Sequence, residues 1–398
     1  MNFSSKIEKC SYSPIRKFYP LQVECEKKGT KIYHLNIGQP DIRTPQGFFD
    51  AIKRFDDEVV EYAPSPGIPQ LIEAVRNYYS GIGVGLSAGD IIVTTGGSEA
   101  LSLTFSTVLD DGDELLVPEP LYSNYLTFAN LSGGKVVPIP TDPENGYRYA
   151  CRDLLQSYVS PRSRAILITN PGNPTGVVLT RDEMRIIADF AKDNGLFLIV
   201  DEVYREFVYG GQKLSSFSEF DDIDENLIII DSVSKRFSAC GARVGALISR
   251  NSEFMAHVMK ICQARLSVAT LDQLGAAEMY KTDKSFFDEV RCEYKKRRDA
   301  VCEELAKIPG VRFDVPEGAF YLMATLPVDD TDAFQRWLFT DFELDGETVM
   351  FAPGAGFYSS PGKGASEIRI AYVRNCDYLR RSIRLLAAGI EAYNSKKA

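Results

Sequence analysis

Histidine is nearly absent from this chain, which has two among its 398 residues, His34 and His257. A catalytic triad, a histidine-ligated metal site or a histidine general base would have to depend on one of them. His257 lies in the helical stretch 253–259, where a packed or surface histidine is the more common role. We therefore expect no metal site and a general base other than histidine. A deprotonated lysine is the natural candidate.

Other absences narrow the class of protein further. No apolar run approaches the ~20 residues that cross a membrane, and residues 1–6 lack the apolar core of a signal peptide. The eight cysteines show neither paired spacing nor metal-binding motifs, so we expect a cytoplasmic protein. The formal net charge of −10 argues against nucleic acid or an anionic membrane as the main partner.

What the chain has is the composition of an ordinary globular protein, with 44% apolar and 25% charged residues. Its length is sufficient for about two domains. Helical patterns alternate with short apolar runs at 91–94, 114–117, 135–137, 165–168, 196–200, 227–230 and 244–248. Near-continuous apolar strands that alternate with helices predict an α/β fold. Its sheet would be mostly parallel, with helices on both faces.

The connection 231–243 does not fit this alternation, because it is short and glycine-rich for a helical crossover. We therefore predict that the strand 244–248 runs antiparallel. Beyond residue 250, short strand patterns and two helices predict a smaller α+β domain, completed by the N-terminal segment. The expected boundaries are 1–44 for that segment, 45–285 for the large α/β domain and 286–398 for the small domain.

Polar segments follow five of the predicted strands, at the point where each strand ends. They are 96–99, 118–122, 170–176, 201–204 and 232–235. Ligands of open α/β sheets bind outside the carboxyl ends of the strands. We therefore expect these five segments to face one crevice.

The most informative segment is 232–245, Ser-Val-Ser-Lys-Arg-Phe-Ser-Ala-Cys-Gly-Ala-Arg-Val-Gly. The hydroxyls of Ser232 and Ser234 and the guanidinium of Arg243 suit a phosphate group. Lys235 can form a Schiff base with a carbonyl carried by that phosphate. Pyridoxal phosphate is such a phosphorylated aldehyde. Alone, the segment would be interpreted as a solvated turn, but the other polar segments favour a cofactor site.

With these motifs the chain resembles the class I and II aminotransferases of the fold type I pyridoxal-phosphate enzymes, from Asn36 to Arg369. The resemblance implies transfer of an amino group between an L-amino acid and a 2-oxo acid through a pyridoxamine intermediate. Lys235 would hold the cofactor as an internal aldimine and later move the substrate Cα proton. Asp201 would pair with the pyridine nitrogen and keep it protonated. A helix cap is the alternative role for Asp201.

The resemblance also implies contacts to the rest of the cofactor. Tyr204, expected to be catalytic as well, would hydrogen-bond the phenolic oxygen together with Asn173. Tyr122 would stack on the pyridine ring. The opening of a helix and the lysine motif would together hold the phosphate, through Gly97, Ser98, Ser232, Ser234 and Arg243.

For the substrate, the resemblance implies that Arg369 clamps the α-carboxylate, with Asn173 and the backbone of Gly38 beside it. An internal salt bridge is the alternative for an inward-facing arginine. Tyr62 matches the tyrosine that family members send into the phosphate site of the neighbouring subunit. A homodimer with shared active sites is therefore expected.

One departure concerns the substrate side chain. Many bacterial aspartate-specific relatives carry a lysine where this chain has Ser98. Serine at this position argues against aspartate specificity, although an aspartate- or glutamate-type enzyme is one expectation. For Arg16 we expect a flexible surface arginine, and substitution for that lysine from the N-terminal segment is the alternative.

The reaction itself has an alternative. Lys235, Asp201 and Arg369 would serve a lyase of the same fold equally well, such as a C–S lyase or an aminocyclopropane-carboxylate synthase. A DNA-binding regulator with this fold would need an added N-terminal module, whereas about 35 residues precede Asn36 in this acidic chain. We therefore expect an enzyme.

Overall fold

The computed structural model describes residues 1–211 and 215–397. Its strands are β1 (Lys31–His34), β2 (Ile91–Thr94), β3 (Glu114–Glu119), β4 (Lys135–Pro140), β5 (Ser163–Thr169), β6 (Phe197–Asp201), β7 (Leu227–Ser232), β8 (Gly245–Ile248), β9 (Arg312–Phe313), β10 (Tyr321–Thr325), β11 (Glu347–Met350), β12 (Ala352–Pro353) and β13 (Glu367–Ala371). Its helices are α1 (Ser5–Glu8), α2 (Tyr19–Lys27), α3 (Gln46–Lys53), α4 (Pro69–Ser80), α5 (Gly96–Val108), α6 (Asn124–Ser132), α7 (Arg152–Gln156), α8 (Arg181–Asp193), α9 (Val233–Arg236), α10 (Ser252–Arg265), α11 (Thr270–Met279), α12 (Lys284–Leu305), α13 (Thr331–Thr340) and α14 (Cys376–Lys397).

The large sheet has the strand order β2-β8-β7-β6-β5-β3-β4. Strands β3 to β7 pair in parallel, whereas β8 pairs antiparallel with both β2 and β7. The prediction of a mostly parallel sheet with one antiparallel strand is confirmed. The physical reason is the short connection after β7, where the four-residue α9 replaces a full crossover helix.

Both faces of this sheet are buried, which explains the continuous apolar runs. Alternate residues of one strand enter different core clusters. Ile166 and Ile168 of β5 pack with α8 on one side, and Leu167 packs with α5 and α6 on the other. Side chains alternate between the two faces of a strand, so a sheet covered on both faces needs apolar residues at every position.

A second sheet has the order β12-β13-β10-β9 and is antiparallel. The N-terminal strand β1 pairs in parallel with β11, so the N-terminal segment joins the C-terminal part of the chain. The α+β character expected for residues beyond 250 is thus present. The exact domain boundaries stay a prediction.

One predicted strand, 349–352, is divided in the structure. Its first half belongs to β11 beside β1, and its second half belongs to β12 beside β13. The division falls at Phe351, whose N–H donates to the side-chain oxygen of Gln335 at 2.7 Å instead of to a strand. Periodicity in the sequence does not reveal such a change of partner.

Candidate active site

A cavity of about 520 Å³ lies at the carboxyl ends of the large sheet. All of the predicted site residues except Tyr62 line it. They are Gly38, Gly97, Ser98, Tyr122, Asn173, Asp201, Tyr204, Ser232, Ser234, Lys235, Arg243 and Arg369. The expected convergence of the polar segments on one crevice is therefore present in the structure.

Lys235 enters the cavity from α9, directly after β7. Its Nζ donates a hydrogen bond to the carbonyl of Gly38 at 2.9 Å and lies 3.7 Å from the Sγ of Cys240. Lys235 forms no ion pair within residues 1–211 and 215–397. A carbonyl and a thiol hold this amine in place and leave it free for chemistry.

The hydroxyls and the arginine of the lysine motif lie together at the start of α5. Ser232 Oγ and Ser234 Oγ are 2.8 Å apart, and Arg243 Nη1 lies 3.5 Å from Ser234 Oγ. Arg243 Nη2 donates to the carbonyl of Thr95 at 3.3 Å. Gly96 has φ +76°, and a Cβ there would lie 2.5 Å from the Arg243 guanidinium. Glycine therefore allows the arginine to approach the helix opening.

Asp201 is a buried carboxylate at the end of β6. Its Oδ2 accepts from the Tyr125 hydroxyl at 2.7 Å, and its Oδ1 accepts from the Val203 N–H at 3.3 Å. Burial raises the pKa of Asp201 to about 6, although these two hydrogen bonds act in the opposite direction. A cationic group next to Asp201 would relieve this desolvation.

The raised pKa predicts a pH-dependent effect of Asp201→Asn on the cofactor-free protein. Because the folded-state pKa lies above the ordinary 3.8, the carboxyl favours folding most at low pH. This stabilisation is lost as the pH rises through about 6. The free energy of unfolding of the variant, relative to the wild type, should rise by about 2–3 kcal/mol between pH 4 and pH 7.

Urea unfolding of both proteins at several pH values measures this difference. Asp56→Asn is the control, because it removes a carboxyl group from an exposed position instead of a buried one. A flat difference for Asp201→Asn across the same range would mean that the carboxyl is not perturbed.

Aromatic hydroxyls fill the region between Asp201 and the second sheet. The Tyr204 hydroxyl lies 3.1 Å from the Tyr321 hydroxyl and accepts from the Asn173 amide at 3.4 Å. The Tyr122 hydroxyl accepts from the Asn124 amide at 2.7 Å, and burial raises the pKa of Tyr122 to about 12. Burial also raises the pKa of Tyr204, so Tyr122 and Tyr204 are neutral hydrogen-bonding groups at ordinary pH.

Arg369 lies on β13 with 1% of its surface exposed. Its guanidinium donates to Asn173 Oδ1 at 3.0 Å and to the Asn36 carbonyl at 2.8 Å, and it stacks 4.3 Å from the Tyr321 ring. Its Nε has no hydrogen-bond partner, and within the described residues Arg369 forms no ion pair. Burial lowers the pKa of Arg369. The internal salt bridge, the alternative role for this residue, is not found.

Tyr62 and Arg16 differ in their positions relative to the cavity. Tyr62 is 79% exposed and lies outside it, on a segment that also exposes Val59 and Val60. Arg16 lines the cavity and forms no ion pair in the described part of the chain. Arg16 is also solvent-exposed, and its role at the site stays a prediction.

Two contacts of the site were not expected from the sequence. Tyr125 donates to Asp201, and Tyr321 contacts both Tyr204 and Arg369. Tyr125 follows Tyr122 by three residues, and that spacing at a helix start could have indicated a shared face. Tyr321 lies on the second sheet, so no local pattern connects it to the first. Tyr321 also explains why residue 38 is a glycine, because a Cβ there would lie 1.9 Å from the Tyr321 hydroxyl.

Two features are absent from the described residues. No helix among them is long and apolar enough to span a membrane. No group of three or more histidine, cysteine, aspartate or glutamate side chains among them is arranged to hold a metal ion.

A sheet of this topology, with a free lysine amine at its carboxyl edge, is typical of a group-transfer enzyme. The sequence model of the family "Aminotransferase class I and II" matches residues 30–383, and the chain belongs to this family. It is therefore a transferase of the aminotransferase type, and the family uses pyridoxal phosphate.

Individual relatives show the same similarity over nearly full length. The chain is 32% identical to the "Probable aspartate/prephenate aminotransferase" of Aquifex aeolicus, over 98% of each chain. It is 32% identical to the "Aromatic-amino-acid aminotransferase 2" of Thermococcus litoralis, over 96% of this chain and 97% of that one. The solved alanine aminotransferase of Pyrococcus furiosus superposes with a TM-score of 0.90 at 28% identity, over 98% and 100% of the two chains. The names of these relatives differ in substrate.

Proposed function

We propose that this chain is a pyridoxal-phosphate-dependent aminotransferase that moves an amino group between an L-amino acid and a 2-oxo acid. One observation carries the proposal. The segment 36–38 holds both reactive groups, since Gly38 accepts from Lys235 Nζ and Asn36 accepts from Arg369. The segment 36–38 thus places two groups at one cavity. One is a free amine, and the other is a buried guanidinium that has no ion-pair partner among the described residues. An amino acid has its Cα next to a carboxylate, which matches such a pair.

The cavity residues fit pyridoxal phosphate. Ser232, Ser234 and Arg243 offer hydroxyls and a cation without an acidic partner in the described residues, which suit a phosphate. With them, Gly97 and Ser98 lie at the start of α5, where helix N–H groups favour an anion. The buried carboxylate of the site suits a protonated pyridine nitrogen, because that cation would compensate its desolvation.

The remaining cofactor contacts follow from the same arrangement. Asn173 and Tyr204 present an amide and a hydroxyl for a phenolic oxygen, and Tyr122 presents a ring for stacking. When bound, pyridoxal phosphate supplies an electron-withdrawing ring that stabilises negative charge on the substrate Cα.

Lys235 then has two tasks. Its amine would hold the cofactor at the aldehyde carbon, and the same amine would take the proton from the substrate Cα. Groups of this kind contribute about 10²–10⁴-fold in rate. Asp201 holds a proton on the pyridine nitrogen, and the Tyr125 hydroxyl keeps the Asp201 carboxylate oriented.

Arg369 binds the substrate α-carboxylate. Asn173 fixes the orientation of its guanidinium, and Tyr321 packs against the guanidinium face. Two parallel hydrogen bonds from a guanidinium to a carboxylate add direction as well as energy. The Cα is thereby held facing the amine of Lys235.

A single-turnover experiment tests this function against the lyase alternative. The cofactor-loaded protein is mixed with glutamate, aspartate, alanine or phenylalanine without an acceptor acid. A transferase should release one equivalent of 2-oxo acid per site and then stop until an acceptor is added. The protein is also mixed with an S-substituted cysteine, which carries a leaving group on Cβ. Continuous release of thiol, ammonia and a 2-oxo acid from it without an acceptor would instead identify a lyase.

For the substrate side chain we propose an aspartate- or glutamate-type preference supported by Arg16. This arginine lines the cavity without an ionic partner in the described ranges, and Ser98 offers no charge there. We expect Arg16→Gln to lower kcat/KM for aspartate and glutamate about tenfold, with alanine nearly unaffected. Equal loss for all three amino acids would contradict a role in selecting the distal carboxylate.

We also propose a homodimer in which Tyr62 completes the phosphate site of the neighbouring subunit. The exposed apolar residues Val59 and Val60, with Leu266 on the adjoining α10–α11 connection, support a contact surface there. The division into a large domain at 45–285 and a small one at 286–398, joined by 1–44, is part of the same proposal. The eight free cysteines support a reducing, cytoplasmic compartment.

Subunit mixing tests the shared site. Lys235→Ala and Tyr62→Ala subunits, each impaired alone, should recover up to about a quarter of wild-type activity after mixing, because one site in each mixed dimer is intact. The same mixture of Lys235→Ala with Lys235→Ala,Tyr62→Ala subunits is the control and should stay inactive. No recovery in mixed dimers verified by mass would contradict the shared site.

A further inference from the structure

A buried ion pair brackets the turn that carries Lys235. Asp231 precedes the turn on β7, and Arg236 ends α9 immediately after the lysine. Arg236 Nη2 donates to both carboxylate oxygens of Asp231, at 2.8 and 2.9 Å. Asp231 and Arg236 are 0% and 1% exposed. The pair thus joins the two ends of the segment 232–235.

The surroundings of the pair fix it on every side. Asp231 Oδ1 also accepts from the Ser232 N–H at 2.7 Å. The Arg236 guanidinium lies 4.2 Å from the ring centre of Tyr78 and donates to the Tyr280 hydroxyl at 3.2 Å. Neither Asp231 nor Arg236 lines the cavity. Any influence on the reaction must therefore pass through the residues between them.

Overall stability does not require such a pair. Buried ion pairs can often be replaced by apolar residues without loss, because desolvation offsets the attraction between the charges. What the short contacts from one guanidinium nitrogen to both Asp231 oxygens supply is a fixed geometry. Here the pair fixes the conformation of the backbone segment that carries Ser232, Ser234 and Lys235.

We propose that Asp231 and Arg236 are positioning residues for the cofactor site. Their pair holds the turn so that both serine hydroxyls and the lysine amine face the cavity together. This inference depends on the proposed function. A displacement of reacting groups by about 1 Å lowers rates on the order of 10²-fold, so a small change in the turn has a measurable effect.

Arg236→Lys tests the proposal, because it keeps the charge and removes the planar guanidinium that reaches Asp231 and the Tyr280 hydroxyl at once. We expect the dissociation constant for pyridoxal phosphate to rise about tenfold and kcat to fall by a similar factor. The KM for the amino acid, which Arg369 sets, should change little. In the cofactor-free protein, amide hydrogen exchange of residues 232–236 should accelerate.

Arg298→Met is the matched control. Arg298 is also buried, but it lies on α12 and donates to the carbonyl of Pro316, away from the cavity. It should alter stability while leaving exchange at 232–236 and cofactor affinity as in the wild type. Asp231→Asn should reproduce the effects of Arg236→Lys, and the double variant should be no worse than the more affected single one.

The outcomes separate this proposal from the proposed function. Unchanged exchange at 232–236 in Arg236→Lys, or equal acceleration in the control, would overturn the positioning role. If the wild type does not bind pyridoxal phosphate, the proposed function fails. The exchange measurement on cofactor-free protein still decides whether the pair holds the turn. If Asp231→Asn does not fold, Arg236→Lys alone carries the test.

Discussion

Replacing Lys235 by alanine should leave a folded protein that transaminates at least about a thousandfold more slowly. The variant loses both the covalent attachment of the cofactor and the base that takes the Cα proton. Among the described residues that line the cavity, Lys235 is the one lysine. Among these residues, no second amine is placed to take over its role. Steady-state turnover and the circular dichroism spectrum check the two parts of this prediction.

Lys295→Ala is the control for this experiment. Lys295 is an exposed lysine of α12 that pairs with Asp299 at 2.9 Å and does not line the cavity. Its removal should leave turnover within about twofold of the wild type, because surface ion pairs contribute little. Near-normal turnover in Lys235→Ala would refute the assignment of the active site.

Arg369→Ala should raise the KM for amino acids by about 10²-fold with little change in cofactor affinity. The variant loses two charge-assisted hydrogen bonds to the substrate carboxylate, and loss of a buried charged partner has effects of this size. Binding that is equal in the ground and transition states affects KM more than kcat. Initial rates across a range of amino acid concentrations measure this separation.

The comparison with Arg298→Met controls for the loss of a buried arginine as such. Arg298→Met should leave KM unchanged even if it lowers the melting temperature. A large loss of cofactor affinity in Arg369→Ala with an unchanged KM would show that Arg369 belongs to the cofactor site.

The sequence predicts those features that local patterns determine. Buried parallel strands have continuous apolar runs, and the short connection after β7 forces β8 to run antiparallel. Polar residues at strand ends predict the convergence at the cavity, because parallel strands end at one edge. The physical rule in each case acts within a few residues of the chain.

Other features depend on contacts between distant segments, and these could not be predicted. Tyr321 reaches Tyr204 and Arg369 from the second sheet, and Phe351 marks a change of sheet that apolar periodicity does not show. Asp231 and Arg236 are close in sequence, yet before their burial is known the charged residues of this segment indicate only a solvated turn. A role of Tyr62 in the phosphate site of a neighbouring subunit stays a prediction.

The position of the cofactor is the central claim, and one measurement tests it directly. The protein loaded with pyridoxal phosphate is reduced with borohydride, digested and analysed by peptide mass spectrometry. We expect a stable phosphopyridoxyl group on Lys235, in the peptide that contains Ser232 and Ser234. A label on another lysine, or no label on a protein that catalyses transamination, would contradict it.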